Sequence, residues 1–289
     1  MELVYQSARG LTATLSTAKE GAEYVLTSAQ GLYDMGVDIY AIDPPEQAGA
    51  VWVSSRVRRR VITLEGFVTG SVEVSRRRLA ACLSPLEPGW MTLRRVEDGV
   101  AFERRICCVV EQGPAFGGVE GTRFKITLAA PSPWWEETGG EKAASLSGWA
   151  GGVEFPWSME EGFQFGGRTP GAAVNVYNPG DAKAGMIIRI YAAGDVDQPF
   201  VSRPGTDEEM RIKGVLKEGE SLEIGTGVGG KYVKRYGVEG REENGLRYVD
   251  TNSTFLQMEP GDNLFRAGAV DGEEALTVAI AFRPGYFSV

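Results

Sequence analysis

The sequence predicts a mostly β protein of two domains, and three observations carry this prediction. The 289 residues exceed the span of about 100 to 200 that one domain usually takes. The 39 glycines and 14 prolines favour many turns. Apolar residues alternate with polar ones, most clearly in residues 123–128, where Phe124, Ile126 and Leu128 share one face. Short strands joined by turns are therefore expected along most of the chain.

The first domain is predicted to be a β-sandwich-like unit with one helix. Strands are expected at residues 2–5 and 24–28, and a further extended segment at 31–40. A longer strand is expected at 57–68, with its arginines on exposed positions. Residues 89–93 and 101–112 predict an antiparallel pair around a turn at 97–99.

The single helix is expected between these strands. Ser71 is suited to begin it and Pro85 to end it. Its residues divide into an apolar stripe of Val72, Leu79, Cys82 and Leu83 and a basic run of Arg76, Arg77 and Arg78. The stripe is predicted to face the core, which leaves the arginines available to other molecules.

A domain boundary is predicted after the strand at 123–130. Pro131 and Pro133 fix the backbone and remove two hydrogen-bond donors, so the sheet cannot continue through them. We expect one domain over residues 1–137 and a second over 138–289. Aromatic residues within 136–170 predict an ordered connecting segment that lies over a sheet, rather than a disordered linker.

The second domain is predicted to be a jelly-roll sandwich. Its apolar residues alternate in three segments, around 188–192, 222–224 and 276–282. Turn sequences separate them at 178–181, 217–220 and 260–263. This spacing of strands and turns is typical of antiparallel sandwiches.

Charge argues against a nucleic-acid partner. The formal net charge is −9, of which residues 1–137 contribute −2 and the remainder −7. Neither part carries the basic surface that phosphate contacts require. The arginine runs at 58–60 and 76–78 are therefore interpreted as solvated or interface residues.

The sequence also argues against an enzyme. No histidine is present, which removes serine and cysteine catalysis of the histidine-dependent kind and imidazole metal ligands. Cys82, Cys107 and Cys108 sit among apolar residues and are expected to be buried, reduced thiols. Neither a signal peptide nor an apolar run long enough for a membrane span is recognised. No cofactor or metal is predicted.

Two motifs resemble catalytic or ligand sites. Residues 225–231 match a glycine-rich phosphate loop in part, but the following residues favour a strand, and Tyr232 stands where the motif needs Ser or Thr. A β-hairpin turn is predicted instead. Adjacent acids at 136–137, 160–161, 208–209 and 242–243 are interpreted as solvated turns, because neighbouring acids point apart.

Aromatic residues in the second domain raise the alternative of sugar binding. Aromatic rings stack on sugar rings while polar side chains bind hydroxyl groups. Core packing is the competing interpretation of the same residues. The candidate sugar contacts are Trp149, Trp157, Tyr232 and Tyr236.

Several motifs, taken in order, resemble the distal tail protein family of long-tailed bacteriophages. They include Gly31-Leu32-Tyr33, the strand at 60–66, the arginine-rich helix that ends at Pro85, and the segment Ala130-Pro131-Ser132-Pro133-Trp134. In the second half, Asn178-Pro179-Gly180-Asp181 and Pro260-Gly261-Asp262-Asn263 follow the family's turn and strand pattern.

The resemblance implies a structural hub. Six copies would form a ring through residues 1–137 at the end of the tail tube, with a galectin-like or carbohydrate-binding-module-like second domain. Its implied partners are the tail tube protein and the tail-associated and receptor-binding proteins, and its implied location is the virion tail tip after assembly in the host cytoplasm. Arg76, Arg77 and Arg78 are the candidate ring contacts. The alternative function is a carbohydrate-binding adhesion module that contacts the bacterial surface.

Overall fold

The computed structural model describes all residues except 46–47, 98, 119–120, 147, 150–167 and 170–172. The chain divides into two compact units, and the division does not follow the sequence simply. Unit 1 contains Met1–Thr138 and Tyr286–Val289, and unit 2 contains Gly139–Gly285. Unit 2 is therefore inserted into unit 1. Residues 286–289, which were expected in the second domain, instead pack with the first.

Unit 1 is built mainly from strands, with one α-helix among its described residues. The elements are β1 (Glu2–Gln6), β2 (Thr12–Ser16), β3 (Tyr24–Gln30), β4 (Val37–Ile42), β5 (Val51–Val57), β6 (Arg60–Val68), α1 (Val72–Cys82), β7 (Gly89–Glu97), β8 (Val100–Gly117), β9 (Arg123–Ala130) and β10 (Trp135–Glu137).

The main sheet of unit 1 closes on itself. Its strands follow the order β8-β7-β1-β2-β3-β6-β9, and β9 pairs again with β8. This seven-stranded closure replaces the two facing sheets expected of a sandwich-like domain. Closure satisfies the edge strands that an open sheet leaves unpaired. The mostly β class with one helix is confirmed.

Helix α1 lies against one core that fills unit 1. Leu79, Cys82 and Leu83 are buried, as the stripe predicts. The Tyr24 hydroxyl donates to the Ser75 carbonyl at 2.8 Å and attaches the helix to β3. Ser71 occupies the N-cap position without a side-chain capping bond. In the described part of the chain, no helix has the length and apolar character to cross a membrane.

Arg60 corrects the expectation that the arginines of this strand are exposed. Its side chain is only 2% exposed, because residues 58–59 interrupt the expected strand and Arg60 begins β6 on the inward face. The guanidinium group donates to several backbone carbonyls. Burial lowers the pKa of Arg60 from its ordinary value.

Unit 2 consists of two main sheets around a second core. One sheet has the order β11-β24-β15-β20-β21-β22 and the other β14-β23-β17-β18. Both contribute to one cluster of buried residues, including Ile188, Ile224 and Ile280 from the first sheet and Phe265 from the second. The alternation predicted around 188–192, 222–224 and 276–282 therefore marks the inward faces.

The strands from residue 139 onward are as follows. They are β11 (Lys142–Ser145), β12 (Gly148–Trp149), β13 (Arg168–Thr169), β14 (Ala173–Asn178), β15 (Met186–Ala192), β16 (Val196–Asp197), β17 (Phe200–Ser202), β18 (Glu209–Arg211), β19 (Val215–Leu216), β20 (Ser221–Gly225), β21 (Tyr232–Tyr236), β22 (Glu242–Asn244), β23 (Gly261–Gly268), β24 (Leu276–Phe282) and β25 (Gly285–Tyr286). Most of the ordered connecting segment expected at 136–170 lies outside the described residues.

The three cysteines should react in a fixed order with a small thiol reagent. All are free, and Cys82 and Cys108 are buried whereas Cys107 is half-buried. Burial raises the pKa of each thiol, so the reactive thiolate becomes more abundant as pH rises above the ordinary cysteine range. We expect Cys107 to be labelled first, more quickly at higher pH. Mass spectrometry of the labelled peptides checks the order, and equal rates for all three thiols would contradict this packing.

Candidate interaction surfaces

The three arginines of α1 occupy different environments. Arg76 is half-buried, and its guanidinium carbon lies 4.6 Å from the ring centroid of Phe116 on β8. Arg78 Nη1 lies 3.0 Å from Glu23 Oε2. Arg77 is exposed, and no partner is recorded for it among the described residues. The three side chains therefore do not form one free basic patch, and their role in a ring remains a prediction.

Glu23 connects the helix to the barrel through Arg78 and Ser75. The Ser75 hydroxyl donates to Glu23 Oε1 at 2.6 Å. Burial acts to raise the pKa of Glu23, but the hydrogen bonds from Ser75 and Arg78 and the positive charge of Arg78 outweigh it, so the pKa is lowered. The carboxylate of Glu23 thus remains charged and holds Arg78 against the barrel.

A charge-reversal series on α1 should separate a ring contact from an intramolecular one. We expect Arg77→Glu to leave the unfolding midpoint unchanged, because an exposed charge without a recorded partner contributes little to stability. Arg76→Glu should lower the midpoint, because it removes the stacking on Phe116. Thermal unfolding and light scattering of each variant check this. An equal loss of stability in both variants would contradict the different environments.

Strands β4 and β5 form a ribbon that pairs only with itself in the described sheets. Its apolar side chains are widely exposed, with Ile39 at 70% and Trp52 at 65%. A two-stranded ribbon is at best marginally stable alone in water. Exposed apolar clusters of this kind mark interaction sites. We call these two strands the apolar ribbon.

The register of the apolar ribbon places its apolar residues on both faces. Ala41 lies opposite Trp52, and Ile42 lies opposite Val51, after a bulge that follows Tyr40. Strand β5 is not among the predicted strands, although the run Val51-Trp52-Val53 between a proline pair and an arginine run is a usable strand signal. Both faces of the ribbon are therefore suited to contact with other chains.

In unit 2, the outward face of the six-stranded sheet brings tyrosines together. Tyr191 on β15 and Tyr236 on β21 are both aligned with Ser221 on the strand between them. Neighbouring strands lie about 4.8 Å apart, so the two tyrosine positions are about 10 Å apart. The adjacent row contains Arg189, Glu223 and Lys234. This face combines aromatic rings with charged groups and a small residue between them.

Tyr232 is less available than Tyr191. A Cβ on Gly225 would lie only 2.2 Å from the Tyr232 ring, so glycine allows the ring to lie across β20. The Tyr232 hydroxyl donates to Glu223 Oε1 at 2.8 Å. Burial, followed by this interaction with Glu223, raises the pKa of Tyr232 to about 12. Its ring is held against its own sheet.

The tryptophans predicted as sugar contacts cannot be assigned to this face. Trp149 belongs to β12, which pairs with β13, but its side chain is not among the described features. Trp157 lies outside the described residues. Both remain predictions, as do Tyr232 and Tyr236 as sugar contacts.

The glycine-rich segment at 225–231 connects two strands. β20 and β21 pair antiparallel on either side of it, and Gly230 N donates to Gly227 O at 3.2 Å within the turn. A phosphate loop needs a helix that begins at the loop. The strand β21 follows instead, as the sequence predicts.

The described adjacent acids pair with basic residues, and all of them except Glu208 lie on strands rather than in the predicted turns. Glu136 and Glu137 lie on β10, 3.5 and 3.8 Å from Arg105 and Arg104. The acids at 208–209 and 242–243 also form ion pairs with basic residues, whereas 160–161 lie outside the described residues. Within the described residues, no group of three or more acidic or cysteine side chains is placed to hold a metal ion.

Comparison with known proteins gives matches to phage tail components. Residues 179–286 match the family model of the siphovirus-type tail component, C-terminal domain. A search of curated proteins found no match. Among solved structures, the SPP1 Dit (gp 19.1) protein, described as a paradigm of the hub adsorption apparatus in phages that infect Gram-positive bacteria, is similar with a TM-score of 0.65 and 11% identity over 98% of each chain.

A second solved structure extends the comparison of fold. The phage P2 baseplate in its activated conformation with calcium contains a chain that is similar with a TM-score of 0.53 and 10% identity, over 100% of this chain and 99% of that one. Both likenesses cover almost the whole chain, so they extend to residues 1–178, which the family model does not match. Residues 179–286 therefore match the model of the siphovirus-type tail component family, which confirms the predicted resemblance to phage tail components, and the fold of the whole chain is similar to that of the SPP1 Dit protein.

Proposed function

We propose that this protein is a structural hub at the distal end of a long phage tail or of a prophage tail-like particle. The observation that carries the proposal is the likeness of fold to the SPP1 Dit hub protein over 98% of both chains. The family match of residues 179–286 supports it independently. In this role the chain joins the tail tube to the tail-associated and receptor-binding proteins at the virion tail tip, after assembly in the host cytoplasm.

Unit 1 is the part that we assign to self-association into a hexameric ring. A closed ring repeats one contact between two different surfaces of each subunit. The apolar ribbon supplies one surface, because its Ile39 and Trp52 side chains are exposed in the single chain. Burial of such side chains between copies is favourable by roughly 25 cal/mol per Å² of apolar surface.

A non-catalytic role is supported by the chemistry of the chain. Histidine is missing from the sequence, and the glycine-rich segment leads into a strand rather than a helix. The described acid pairs are engaged with arginine and lysine. These features favour an assembly protein over a hydrolase or a nucleotide-dependent enzyme.

Imaging of the purified full chain tests the hub proposal. Negative-stain electron microscopy should show rings with six-fold symmetry. Light scattering should give a mass six times that of one chain, which is 31.2 kDa. A monomer at every accessible concentration, with no ring in the presence of a tail tube protein, would refute the proposal.

The tyrosine face of unit 2 favours carbohydrate binding as a second candidate function. Rings at about 10 Å spacing, with Arg189 and Glu223 beside them, suit a polysaccharide that stacks on tyrosine and hydrogen-bonds to charged groups. The chain would then act as an adhesion module on the bacterial surface.

Substitution of two tyrosines tests the second candidate. We expect Tyr191→Ala with Tyr236→Ala to weaken retention on cell-wall polysaccharide about tenfold, because stacking on the rings is lost. Tyr177→Ala is the matched control, since this exposed tyrosine lies on β14 in the other sheet. Affinity electrophoresis measures the effect. Equal retention of all variants would exclude this face as the sugar site.

A further inference from the structure

The return of residues 286–289 to unit 1 creates a specific set of contacts. Arg104 Cζ lies 4.2 Å from the Tyr286 ring centroid, and the Tyr286 hydroxyl donates to Glu137. The rings of Trp134 and Phe287 have centroids 5.2 Å apart. Tyr286 and Val289 also pack against the buried core of unit 1. Four residues that follow unit 2 in the chain are thus part of the structure of unit 1.

Buried Arg60 is the polar centre of these contacts. Its Nε donates to Pro133 O at 2.9 Å, and its Nη1 lies 2.8 Å from Asp34 O. Nη2 donates to Phe287 O at 2.6 Å. Among the described residues, this carbonyl is the acceptor of the Nη2 hydrogen bond. A buried guanidinium is costly unless its donors are matched by acceptors. Residues 286–289 supply one of those acceptors.

The other acceptors are fixed by local backbone geometry. Nη1 also donates to the carbonyls of Gly31 and Leu32, both at 3.0 Å. Gly31 has a φ of 81°, and a Cβ there would lie 2.0 Å from the Val61 carbonyl oxygen. Only glycine fits this turn, which directs the carbonyls toward Arg60. The site is therefore formed by the part of unit 1 that precedes unit 2 in the chain, except for the carbonyl of Phe287.

We propose that residues 286–289 are a strap that completes unit 1 only after unit 2 has been synthesised. A chain interrupted before residue 286 leaves the Nη2 group of Arg60 without its acceptor and exposes the surfaces covered by Tyr286 and Phe287. This inference rests on the proposed function. Because residues 286–289 follow unit 2 in the chain, a chain can enter the ring only when unit 2 is also present. Incomplete chains, which lack residues 286–289, are excluded from the hub.

Thiol protection tests the strap in single chains. All three cysteines lie in unit 1, and Cys108 is fully buried. Cys108 lies on β8 directly before Val109, which pairs with Ala129 of β9, and Arg60 on β6 pairs with the adjacent Ala130, so the thiol lies two strands from Arg60 in the same sheet. In a chain that ends at Gly285, we expect labelling of Cys108 at least tenfold faster than in the full chain. In the full-length variant Arg60→Met we also expect Cys108 to be labelled faster than in the unaltered full chain. An unchanged rate in both variants would overturn the strap.

Two controls distinguish the strap from general instability. Arg59→Met removes an exposed neighbouring arginine that pairs with Glu111 and should leave the labelling rate unchanged. Hydrogen exchange followed by mass spectrometry should quicken in β6 and β9 of unit 1 but not in β15 and β24 of unit 2. Equal acceleration in both units, or an effect of Arg59→Met as large as that of Arg60→Met, would overturn a local closure.

Ring formation by the shortened chain is measured separately from the labelling of Cys108. If the chain that ends at Gly285 enters rings as efficiently as the full chain, the control of assembly by the strap is refuted. If the full chain forms no ring but protects Cys108 through residues 286–289, the strap stands and the hub proposal fails. The two proposals are therefore refuted by different results.

Discussion

Replacement of Ile39 and Trp52 by aspartate should convert the full-length protein from the proposed rings to monomers. Both side chains are exposed in the single chain, so the charges cost little in the monomer. In a ring they would be buried in an apolar contact, where an uncompensated charge costs several kcal/mol. Each 1.4 kcal/mol is about a tenfold loss of affinity, so we expect association to weaken more than a hundredfold.

The matched control for this variant is Val228→Asp. Val228 is 96% exposed and lies in the turn between β20 and β21 of unit 2, whereas the apolar ribbon belongs to unit 1. Light scattering over a range of concentrations compares the three proteins, and thermal unfolding confirms that each is folded. Rings that persist in the ribbon variant would exclude the apolar ribbon as a ring contact. Loss of rings in the control would show that any new charge disrupts assembly.

Trp135→Ala should destabilise unit 1 by about 3 to 5 kcal/mol, the usual cost of removing a large buried aromatic side chain. Trp135 is fully buried, and its Nε1 donates to Leu32 O at 3.1 Å. Arg60 lies 5.9 Å from the ring centroid, so the substitution also weakens the site where Phe287 is held. We expect the unfolding transition of unit 1 to move to lower temperature.

Trp52→Ala is the matched control for Trp135→Ala. The same side chain is removed, but Trp52 is exposed in the single chain, and surface substitutions usually change the stability of a monomer by less than about 0.5 kcal/mol. Hydrogen exchange resolves the two units, because each has its own buried cluster. The exchange of β15 and β24 should be unchanged in both variants. Similar destabilisation by the two substitutions would contradict the burial of Trp135.

Two kinds of evidence support the hub proposal, and they concern different parts of the chain. The family model matches residues 179–286, whereas the proposed ring contacts lie in unit 1. Only the likeness of fold covers unit 1. The ribbon experiment is therefore the more demanding test, because it examines strands that lie outside the residues matched by the family model.

The sequence by itself determined the local elements of this protein. Alternation of apolar residues predicted the inward faces of β9, β15 and β24, because successive side chains of a strand point to opposite faces. The prolines after residue 130 predicted the end of β9. The buried face of α1 and the strand after the glycine-rich segment were likewise predicted from patterns that span only a few neighbouring residues.

Only the tertiary structure decided three features that govern the proposed function. Closure of the barrel depends on the pairing of β8 with β9 and on strand order around the sheet, which residue patterns do not encode locally. Arg60 is buried because carbonyls distant in sequence, from Gly31 to Phe287, meet around it. Residues 286–289 are too few to show a period, so their return to unit 1 depends on these contacts alone. In each case the deciding interaction joins residues far apart in the chain, beyond the range over which periodicity and turn chemistry act.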